Sequence, residues 1–356
     1  MCDNATFGDP AVGQWKTCSF DATGSSTATT TPTAPVTTAP ATSTTTSSAG
    51  MTSAMWAEIA TQRAAFGDPN DCKARVDAVP TSGYTLPAGG DIVAALASNA
   101  TVLLSDGVYR PTGARLDVIA GKKLVAAPGA KPVIDLSALT NFAAIYAGDN
   151  TTLAGIEIKG AQGMSIITYD VSKGHYSNGG LLYNLKVHDS GLTGSKDDGT
   201  GVAISGGGSS GQGQNWCAVS LEIYNSWNPG GSAPVGQGGN SDGISSKFGA
   251  GQTTFINVNS HNNGDDGIDM WQGGASYHYF GSLHDNGKVP NVTNAGDGNG
   301  IKLGVGSVAH KFYKTTATNN RYGGFNLNGN TMQPILVLSS ASSNSSGNYI
   351  NGVVAP

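Results

Sequence analysis

A glycine followed by an apolar residue recurs through the second half of this chain, and this repeat constrains the fold more than any other feature. The six pairs are Gly201–Val202, Gly243–Ile244, Gly267–Ile268, Gly300–Ile301, Gly324–Phe325 and Gly352–Val353. Two of the intervals between the glycines are 24 residues long, and the others are 28, 33 and 42. Coils of about 20 to 25 residues that carry loop insertions would produce such intervals. The repeat therefore predicts a solenoid, and the coil length favours a right-handed parallel β-helix.

Short β-prone runs, each ending in Asn, Asp, Ser or Gly, follow one another from residue 101 onward. Charged residues make up 12% of the chain and there are 52 glycines, which suits turn-rich β structure better than a helical bundle. Leucine-rich repeats and calcium-binding β-rolls need recurring patterns that this sequence lacks. An antiparallel sandwich is an alternative, but it does not explain the column of glycine and apolar pairs. We expect an all-β right-handed parallel β-helix.

Two stretches ahead of the repeats have apolar residues at helical spacing, residues 57–66 (AEIATQRAAF) and 89–99 (GGDIVAALASN). Asp91 is placed as the N-cap of the second stretch. The first coil of a solenoid exposes its core unless something covers it. We therefore expect the second helix to form an N-terminal cap on the β-helix.

The composition divides the chain into three parts. Residues 24–50 form a Ser/Thr/Pro-rich linker with too little large apolar surface to fold. The linker separates residues 1–23, a short cysteine-containing segment of unknown role, from the β-helix domain at 51–356. The absence of C-x-x-C spacing argues against a zinc or redox centre, and disulfides such as Cys2 with Cys18 stay open. The four cysteines are Cys2, Cys18, Cys72 and Cys217.

The charge of the chain limits its partners. A net charge of -5 and a pI near 5.6 argue against a nucleic-acid binder, which would show a basic patch. No apolar run is long enough to predict a membrane span. Five N-x-S/T sequons are compatible with export. We expect a secreted, extracellular monomer with neither a nucleic-acid nor a membrane partner.

The stretch GDDGIDMWQGG, residues 264–274, places three carboxylates within five residues. If Ile244, Ile268 and Ile301 point inward and stack, the glycine before each would leave the backbone open to a ligand. The position before each glycine then reads Asp242, Asp266 and Asn299, and the next outward position reads Ser245, Asp269, Lys302 and Asn326.

The register therefore predicts a cluster of Asp242, Asp265, Asp266 and Asp269. Two charges 4 to 5 Å apart repel by roughly 3 to 4 kcal/mol at an effective dielectric constant near 20. Turn formation alone would explain a single Asp-Gly pair, but it does not require several like charges at one place. Calcium, which takes six to eight oxygen ligands, is the expected cation, since zinc would ask for His or Cys.

Lys302 is predicted to project outward one coil beyond Asp269 in the same column. A simple reading is a surface salt bridge to Asp269, which would contribute little. The functional reading is a base, because a lysine beside a divalent cation loses affinity for its proton.

Four motifs follow each other at these positions: NSDGISSKFGAG, SHNNGDDGIDMW, GDGNGIKLG and GGFNLNGN. Together they resemble the successive coil motifs of family 9 polysaccharide lyases, whose members include pectate lyases. The resemblance covers residues 240–330 and implies a right-handed parallel β-helix that cleaves uronate polymers by β-elimination. It implies calcium held by the four aspartates and Lys302 as the base.

The resemblance also implies residues that contact the substrate. Lys247 follows the first aspartate motif as a lysine does in the family, and Asn299 and Asn326 occupy matched coil positions. Arg321 would clamp a further carboxylate, unless it is an ordinary solvated arginine. Trp271 would either stack on a sugar or pack beneath a loop. The last motif reads GFNLN where the family has GFDQN, so the exact polymer is left open.

Two other functions compete with the lyase. A glycoside hydrolase on the same fold would act through an acid and a carboxylate flanking the bond. Its expected His-Gly motif is replaced here by GIKLG, with a lysine at 302. A non-catalytic carbohydrate-binding solenoid would use calcium for rigidity alone, and it gives no reason for a lysine beside the cluster.

Overall fold

A computed structural model describes residues 50–191, 198–207, 212–228, 239–288 and 296–356. The predicted segment 1–23 and all of the linker except Gly50 lie outside the described residues, as do Cys2 and Cys18. No helix in the described part of the chain is long and apolar enough to cross a membrane.

Three parallel sheets, here called sheets A, B and C, form the body of the described chain. Successive strands of one sheet come from successive coils, so the strands of each sheet stack in chain order. Sheet A has ten strands: β1 Tyr84–Leu86, β2 Thr101–Leu104, β5 Lys123–Ala126, β8 Thr152–Ala154, β13 Leu181–Tyr183, β16 Cys217–Val219, β19 Thr253–Ile256, β22 Ser276–Tyr279, β25 Lys311–Tyr313 and β28 Ile335–Val337.

Sheet B carries the predicted site. Its nine strands are β4 Leu116–Val118, β7 Ala143–Ala147, β10 Met164–Ile167, β15 Val202–Ser205, β18 Ile244–Lys247, β21 Ile268–Asp269, β24 Ile301–Lys302, β27 Gly323–Asn326 and β30 Gly347–Ile350. Just after β10 the chain forms a short antiparallel hairpin, β11 Tyr169–Asp170 and β12 His175–Tyr176, around the 3-10 helix Val171–Lys173.

Sheet C completes each coil. Its nine strands are β3 Gly107–Tyr109, β6 Pro132–Asp135, β9 Glu157–Lys159, β14 Lys186–His188, β17 Glu222–Tyr224, β20 Asn259–His261, β23 Ser282–His284, β26 Thr316–Thr318 and β29 Ser340–Ser342. The strands are two to five residues long in the three sheets, so each coil turns between sheets after a few residues.

The predicted register along sheet B is confirmed. Ile244 pairs with Ile268, Ile268 with Ile301, and Ile301 with Phe325, and all four side chains are buried in the core. Strand alternation sends the next residue of each strand to the outer face. The fold is therefore the right-handed parallel β-helix that the repeat predicts.

The glycines of the repeat have a different role from the one expected. A Cβ on Gly267 would lie 2.6 Å from the carbonyl oxygen of Gly300, and one on Gly243 would lie 1.9 Å from the Ser260 hydroxyl. Glycine is required because neighbouring coils approach closely here, rather than to leave the backbone open to a ligand.

The helical cap is confirmed as the third helix, α3, Ile92–Ser98. The Asp91 side chain accepts a hydrogen bond from the Ala94 amide (3.0 Å), as expected of an N-cap. Ile92 and Leu96 are buried in the same core as the first coils. The cap therefore removes apolar surface of the first coil from water.

The first two helices lie on the outer face of sheet A. The helix α1, Ser53–Phe66, buries Ile59 and Phe66 against side chains of that face. The helix α2, Cys72–Asp77, is joined to sheet A by the disulfide between Cys72 and Cys217.

Candidate active site

The acidic cluster lies where sheet B begins on two neighbouring coils. Asp242 precedes β18, and Asp265 and Asp266 precede β21. The Gly243 amide donates to the Asp266 carbonyl (2.9 Å), and the Asp266 amide donates to Asp242 Oδ1 (3.2 Å). Coil stacking therefore makes neighbours of two aspartates 24 residues apart, as the register predicts.

Asp242, Asp265 and Asp266 each offer one carboxylate oxygen, and these three oxygens lie within 4.8 Å of one another. Each carboxylate is also held by backbone amides. Asp265 accepts from the Asn240 amide (2.9 Å), and Asp266 Oδ1 accepts from the amide and side chain of Asn299 (2.7 and 2.8 Å). Asp266 Oδ2 is fully buried and accepts no hydrogen bond. The cluster is thus rigidly placed and leaves one buried oxygen unsatisfied.

The electrostatics of the three carboxylates favour the binding of a cation. Burial, together with the neighbouring carboxylates, raises the pKa of Asp265 to about 7 and that of Asp266 well above its usual value. Burial raises the pKa of Asp242 too, against the opposing effect of Lys247. Clustered oxygen ligands with an unsatisfied buried oxygen suit a hard divalent ion such as calcium. Within the described residues this is the one such cluster of His, Cys, Asp or Glu.

Asp269 is placed differently from the other three predicted ligands. Its carboxylate lies 3.1 Å from Lys247 Nζ, which is also 3.0 Å from Asp242. Asp269 therefore joins the site through a lysine that bridges two coils. Lys247 is predicted to contact substrate, and in this structure its ammonium group is paired with these two aspartates.

Lys302 forms its ion pairs with Asp266 and Asp297 rather than with Asp269. Its Nζ is 3.4 Å from Asp266 Oδ2 and 2.9 Å from Asp297. The 3.4 Å approach is an ion pair without hydrogen-bond geometry, which agrees with the unsatisfied state of that oxygen. The long Lys302 side chain reaches Asp266, the residue before Gly267 on the neighbouring coil. The Asp266 carboxylate is more deeply buried than that of Asp269. Asp297 lies four residues before β24, and the repeat does not predict it.

Burial disfavours the charged form of Lys302, but Asp266, Asp269, Asp265 and Asp297 together outweigh it. The pKa of Lys302 is consequently well above its usual value when the carboxylates carry their charge. The same balance holds the pKa of Lys247 well above its ordinary value. In this state both lysines are counter-ions of the cluster.

Two predicted substrate contacts are buried in this structure. Asn299 and Asn326 are at most 2% exposed, and the Asn326 side-chain amide donates to Asn299 Oδ1 (3.1 Å). Asn299 also donates to Asp266, while Asn326 accepts from Asn328 and Asn351. These asparagines position the cluster and the coil behind it. Their contact with a substrate stays a prediction.

Arg321 lies at the edge of the site. Its guanidinium donates to the Gly296 carbonyl (2.6 Å), and its stem packs against Gly287 and Gly298. It therefore holds the loop that carries Asp297. The predicted contact with a substrate carboxylate stays a prediction.

A groove of about 470 Å³ leads away from Lys302 across the preceding coils. Trp271 lines it, as the sugar-stacking alternative requires, together with Phe248, Tyr169 and Met164. Asp198 lines it as well, and its Oδ1 accepts from the Thr200 amide (2.8 Å). Burial raises the pKa of Asp198 to about 6, although Lys247 opposes the shift.

Asp198 is a site residue that the reasoning from sequence missed. It belongs to the stretch KDDGTGV, residues 196–202, which places two aspartates just ahead of the first glycine and apolar pair. The likeness of this stretch to GDDGID could have indicated Asp198. The likeness was difficult to recognise because Gly201 lies 42 residues before Gly243, so no regular interval connects the two motifs.

The histidines form columns that the sequence did not reveal. Rings of His188, Tyr224, His261 and His284 stack on successive strands of sheet C with centroids 4.8 to 5.1 Å apart. His278 lies between Phe255 and Phe312 on sheet A. The glycine repeat did not indicate these columns, because the repeat that marks sheet B sets no register for sheets A and C.

These features define a right-handed parallel β-helix with an acidic cluster, two lysines and a groove on one outer face. A family model described as the Pel9A-like, right-handed β-helix region matches residues 91–352, and the chain belongs to that family. This supports the resemblance to family 9 at the level of the family's β-helix.

Two solved structures share the fold. The crystal structure of pectate lyase Pel9A superposes with a TM-score of 0.62 at 20% identity, covering 79% of this chain and 74% of that one. A rhamnogalacturonan lyase superposes with a TM-score of 0.52 at 18% identity, covering 72% and 70%. A search among curated proteins found no match.

Proposed function

We propose that this protein is a calcium-dependent polysaccharide lyase that cleaves a uronate polymer of the pectate type by β-elimination, with Lys302 as the base. One observation carries the proposal: the Lys302 ammonium lies against a cluster of three buried carboxylates whose oxygens lie within 4.8 Å of one another. The membership of the Pel9A-like family and the fold shared with two lyases support it.

The chain's own residues fit a calcium ion. Asp242, Asp265 and Asp266 would hold it, with Asp269 close by through Lys247. When bound, calcium would supply positive charge that binds the uronate carboxylate and acidifies the proton on the adjacent carbon. Asp266 Oδ2 is the oxygen that most needs such a partner, because it is buried without a hydrogen bond.

Lys302 acts as a base only in its neutral form. The carboxylates that raise its pKa include Asp265 and Asp266, which are also proposed ligands. Calcium would compensate the charge of Asp265 and Asp266, two of the four carboxylates that raise the pKa of Lys302, and so shift the balance towards burial, which favours the neutral amine. The amine would then take the proton from C5, the electron pair would form the C4–C5 double bond, and the O4 leaving group would depart.

The decisive assay follows the ultraviolet absorbance of the unsaturated product at mildly alkaline pH, with uronate polymers that include polygalacturonate. The absorbance should rise with calcium, and EDTA should abolish the rise. Lys302→Ala should lower the rate by about 10² to 10⁴, the usual contribution of a positioned base. Lys288→Ala is the matched control, since Lys288 is exposed and donates to Asn319 away from the cluster.

Other results would identify the rival functions. New reducing ends without absorbance would show a hydrolase. Binding without any cleavage across the panel would show a carbohydrate-binding solenoid. Full activity of Lys302→Ala would remove the lysine from the mechanism.

We also propose that the protein is exported and works as an extracellular monomer. The disulfide between Cys72 and Cys217 supports an oxidising compartment. Among the sequons, Asn150 is exposed, whereas Asn344 is buried and hydrogen-bonded within the fold. Fractionation of a producing culture, with mass measurement by light scattering, tests both points, and a cytosolic or dimeric protein would contradict them.

A further inference from the structure

Lys247 connects two neighbouring coils inside the candidate site. Its side chain is 14% exposed, and its Nζ lies 3.0 Å from Asp242 Oδ2 and 3.1 Å from Asp269 Oδ2. Both carboxylates are buried, so water does not solvate their charges as it would at an exposed position. The Lys247 ammonium therefore supplies the charge compensation that these two aspartates lack.

Both oxygens of Asp242 already accept a hydrogen bond. Oδ1 accepts from the Asp266 amide (3.2 Å), and Oδ2 accepts from Lys247 Nζ (3.0 Å). Asp242 is also one of the three aspartates that offer carboxylate oxygens within 4.8 Å of one another. A cation that binds to these three aspartates therefore competes with Lys247 for the Asp242 carboxylate.

The Lys247 ammonium acts on two states of the site in opposite ways. Without a divalent cation, it is the counter-ion that allows two buried aspartates to stay charged on neighbouring coils. With a divalent cation at the cluster, the same ammonium is a like charge nearby, and it holds an oxygen that the cation needs. Removal of the ammonium should therefore destabilise the first state and favour the second.

We propose that Lys247 is the resident counter-ion of the acidic cluster, which stabilises the site in the ion-free protein and competes with calcium for Asp242. The inference rests on the proposed function, because it takes calcium as the cation. Lys247 keeps Asp269 as its partner when Asp242 binds the cation, so the ammonium stays in the site. Lys247 is in this sense a positioning residue, whose removal strengthens calcium binding and weakens the ion-free fold.

The first test measures the calcium affinity of the full chain by titration calorimetry, with and without Lys247→Met. Methionine keeps much of the apolar stem and removes the charge. The variant should bind calcium at least about tenfold more tightly, because the competing ammonium is gone. Lys186→Met is the matched control, since Lys186 is half-buried on sheet C in register with Glu157 and Glu222. It should change the affinity by about twofold or less.

The second test measures thermal unfolding in EDTA. Lys247→Met should unfold roughly 5 to 10 °C below the unsubstituted protein, because Asp242 and Asp269 lose their shared counter-ion. Asp269→Asn added to Lys247→Met should recover part of this loss, since it removes one of the two charges. The asparagine keeps an oxygen for the Trp271 amide, which donates to Asp269 Oδ1 (3.0 Å). A purely structural lysine would lower the unfolding temperature without changing the calcium affinity.

The inference is overturned if Lys247→Met binds calcium no more tightly than the unsubstituted protein, or if neither protein binds calcium. It is also overturned if the two proteins unfold together in EDTA, or if Asp269→Asn recovers no stability. A Lys247→Met protein that folds only with calcium would uphold it, whereas one that calcium does not fold would overturn it. Tighter calcium binding by Lys247→Met, together with no unsaturated product from the unsubstituted protein, would uphold the inference and refute the lyase proposal.

Discussion

Asp266 shows at the scale of one residue how the fold builds the candidate ion site. The backbone amide and the side-chain amide of Asn299, on the next coil, both donate to Asp266 Oδ1, while its Oδ2 lies 3.4 Å from Lys302 Nζ without a hydrogen bond. Burial and Asp265 raise its pKa, so the carboxylate is poorly stabilised in its charged form. A bound cation would therefore stabilise the charged form of this carboxylate.

We predict that calcium stabilises the protein and that Asp266→Asn removes this effect. The amide keeps an oxygen for Asn299 and relieves the repulsion, so calcium-free stability should change by less than about 1 kcal/mol. Calcium at about 100 times its dissociation constant should add about 2.7 kcal/mol to the unfolding free energy of the unsubstituted protein and should leave that of Asp266→Asn unchanged. Thermal unfolding with calcium and with EDTA measures both values, with Asp285→Asn as control. An undiminished calcium shift in Asp266→Asn would contradict the assignment.

The buried histidines predict an acid-dependent loss of stability. Ser276 lies 2.8 Å from both His278 and His310, and burial lowers the pKa of His310 to about 4 and that of His278 as well. Below pH 6.5 the unfolded chain therefore binds more protons than the folded chain. The stabilisation that comes from the neutral buried rings is complete above about pH 6.5 and decreases as the pH falls towards 4. For His310 alone the loss should reach roughly 3 kcal/mol.

Denaturant unfolding at several pH values checks this. His310→Gln should flatten the slope of unfolding free energy between pH 6.5 and 4, whatever it does to stability at neutral pH. Equal slopes in the two proteins would show that His310 does not titrate in this range.

At the scale of elements, each coil is held to the next by stacked side chains as well as by strand hydrogen bonds. A ladder of buried asparagines runs through four coils, with the amide of each residue donating to the oxygen of the next. Its members are Asn263, Asn286, Asn320 and Asn344. The ladder satisfies turn backbone groups that the short strands leave unpaired, such as the Ser260 carbonyl.

We predict that Asn286→Ala lowers the unfolding free energy by about 2 to 4 kcal/mol, because it leaves buried partners without hydrogen bonds on both sides. The partners are the Asn263 side chain and amide above, and the Asn320 side chain below. Asn259→Ala, on the half-buried outer face of sheet C, should cost less than about 1 kcal/mol. Urea unfolding of the two variants measures the difference, and equal losses would refute a structural role for the ladder.

At the scale of the whole molecule, the helices α1 and α2 bind one face of the β-helix while the site occupies another. The disulfide joins positions 145 residues apart and connects α2 to β16 of sheet A. Arg75 of α2 adds hydrogen bonds to the Gly179 and Asn215 carbonyls (3.0 and 2.6 Å). The helices and the candidate active site thus lie on different sides of the same coils.

We predict that replacing both Cys72 and Cys217 by alanine lowers the unfolding free energy by about 2 to 4 kcal/mol, because the unfolded chain loses a cross-link. Activity well below the unfolding temperature should persist, since neither cysteine lies on sheet B. Denaturant unfolding and the absorbance assay give the two readings. Loss of activity in a protein that is still folded would show a coupling between sheets A and B.

The sequence alone determined the class of fold and the core of the site. Glycine and apolar residues are required at one point of each coil, where backbones approach and a side chain enters the core. That requirement sets the register of sheet B, and the register makes neighbours of Asp242 and Asp266 and brings Lys302 to their side. The helical cap followed from its N-cap residue and its apolar spacing for the same local reasons.

Only the tertiary structure decided the other charge contacts of the site. Asp297 and Asp198 come from stretches ahead of coils where insertions break the interval, so no periodicity places them. The pairing of Lys247 with Asp269 depends on how far a flexible side chain reaches across coils. The burial of Asn299 and Asn326 depends on their partners on neighbouring coils. Repeats specify local backbone position, whereas side-chain contacts depend on everything packed around them.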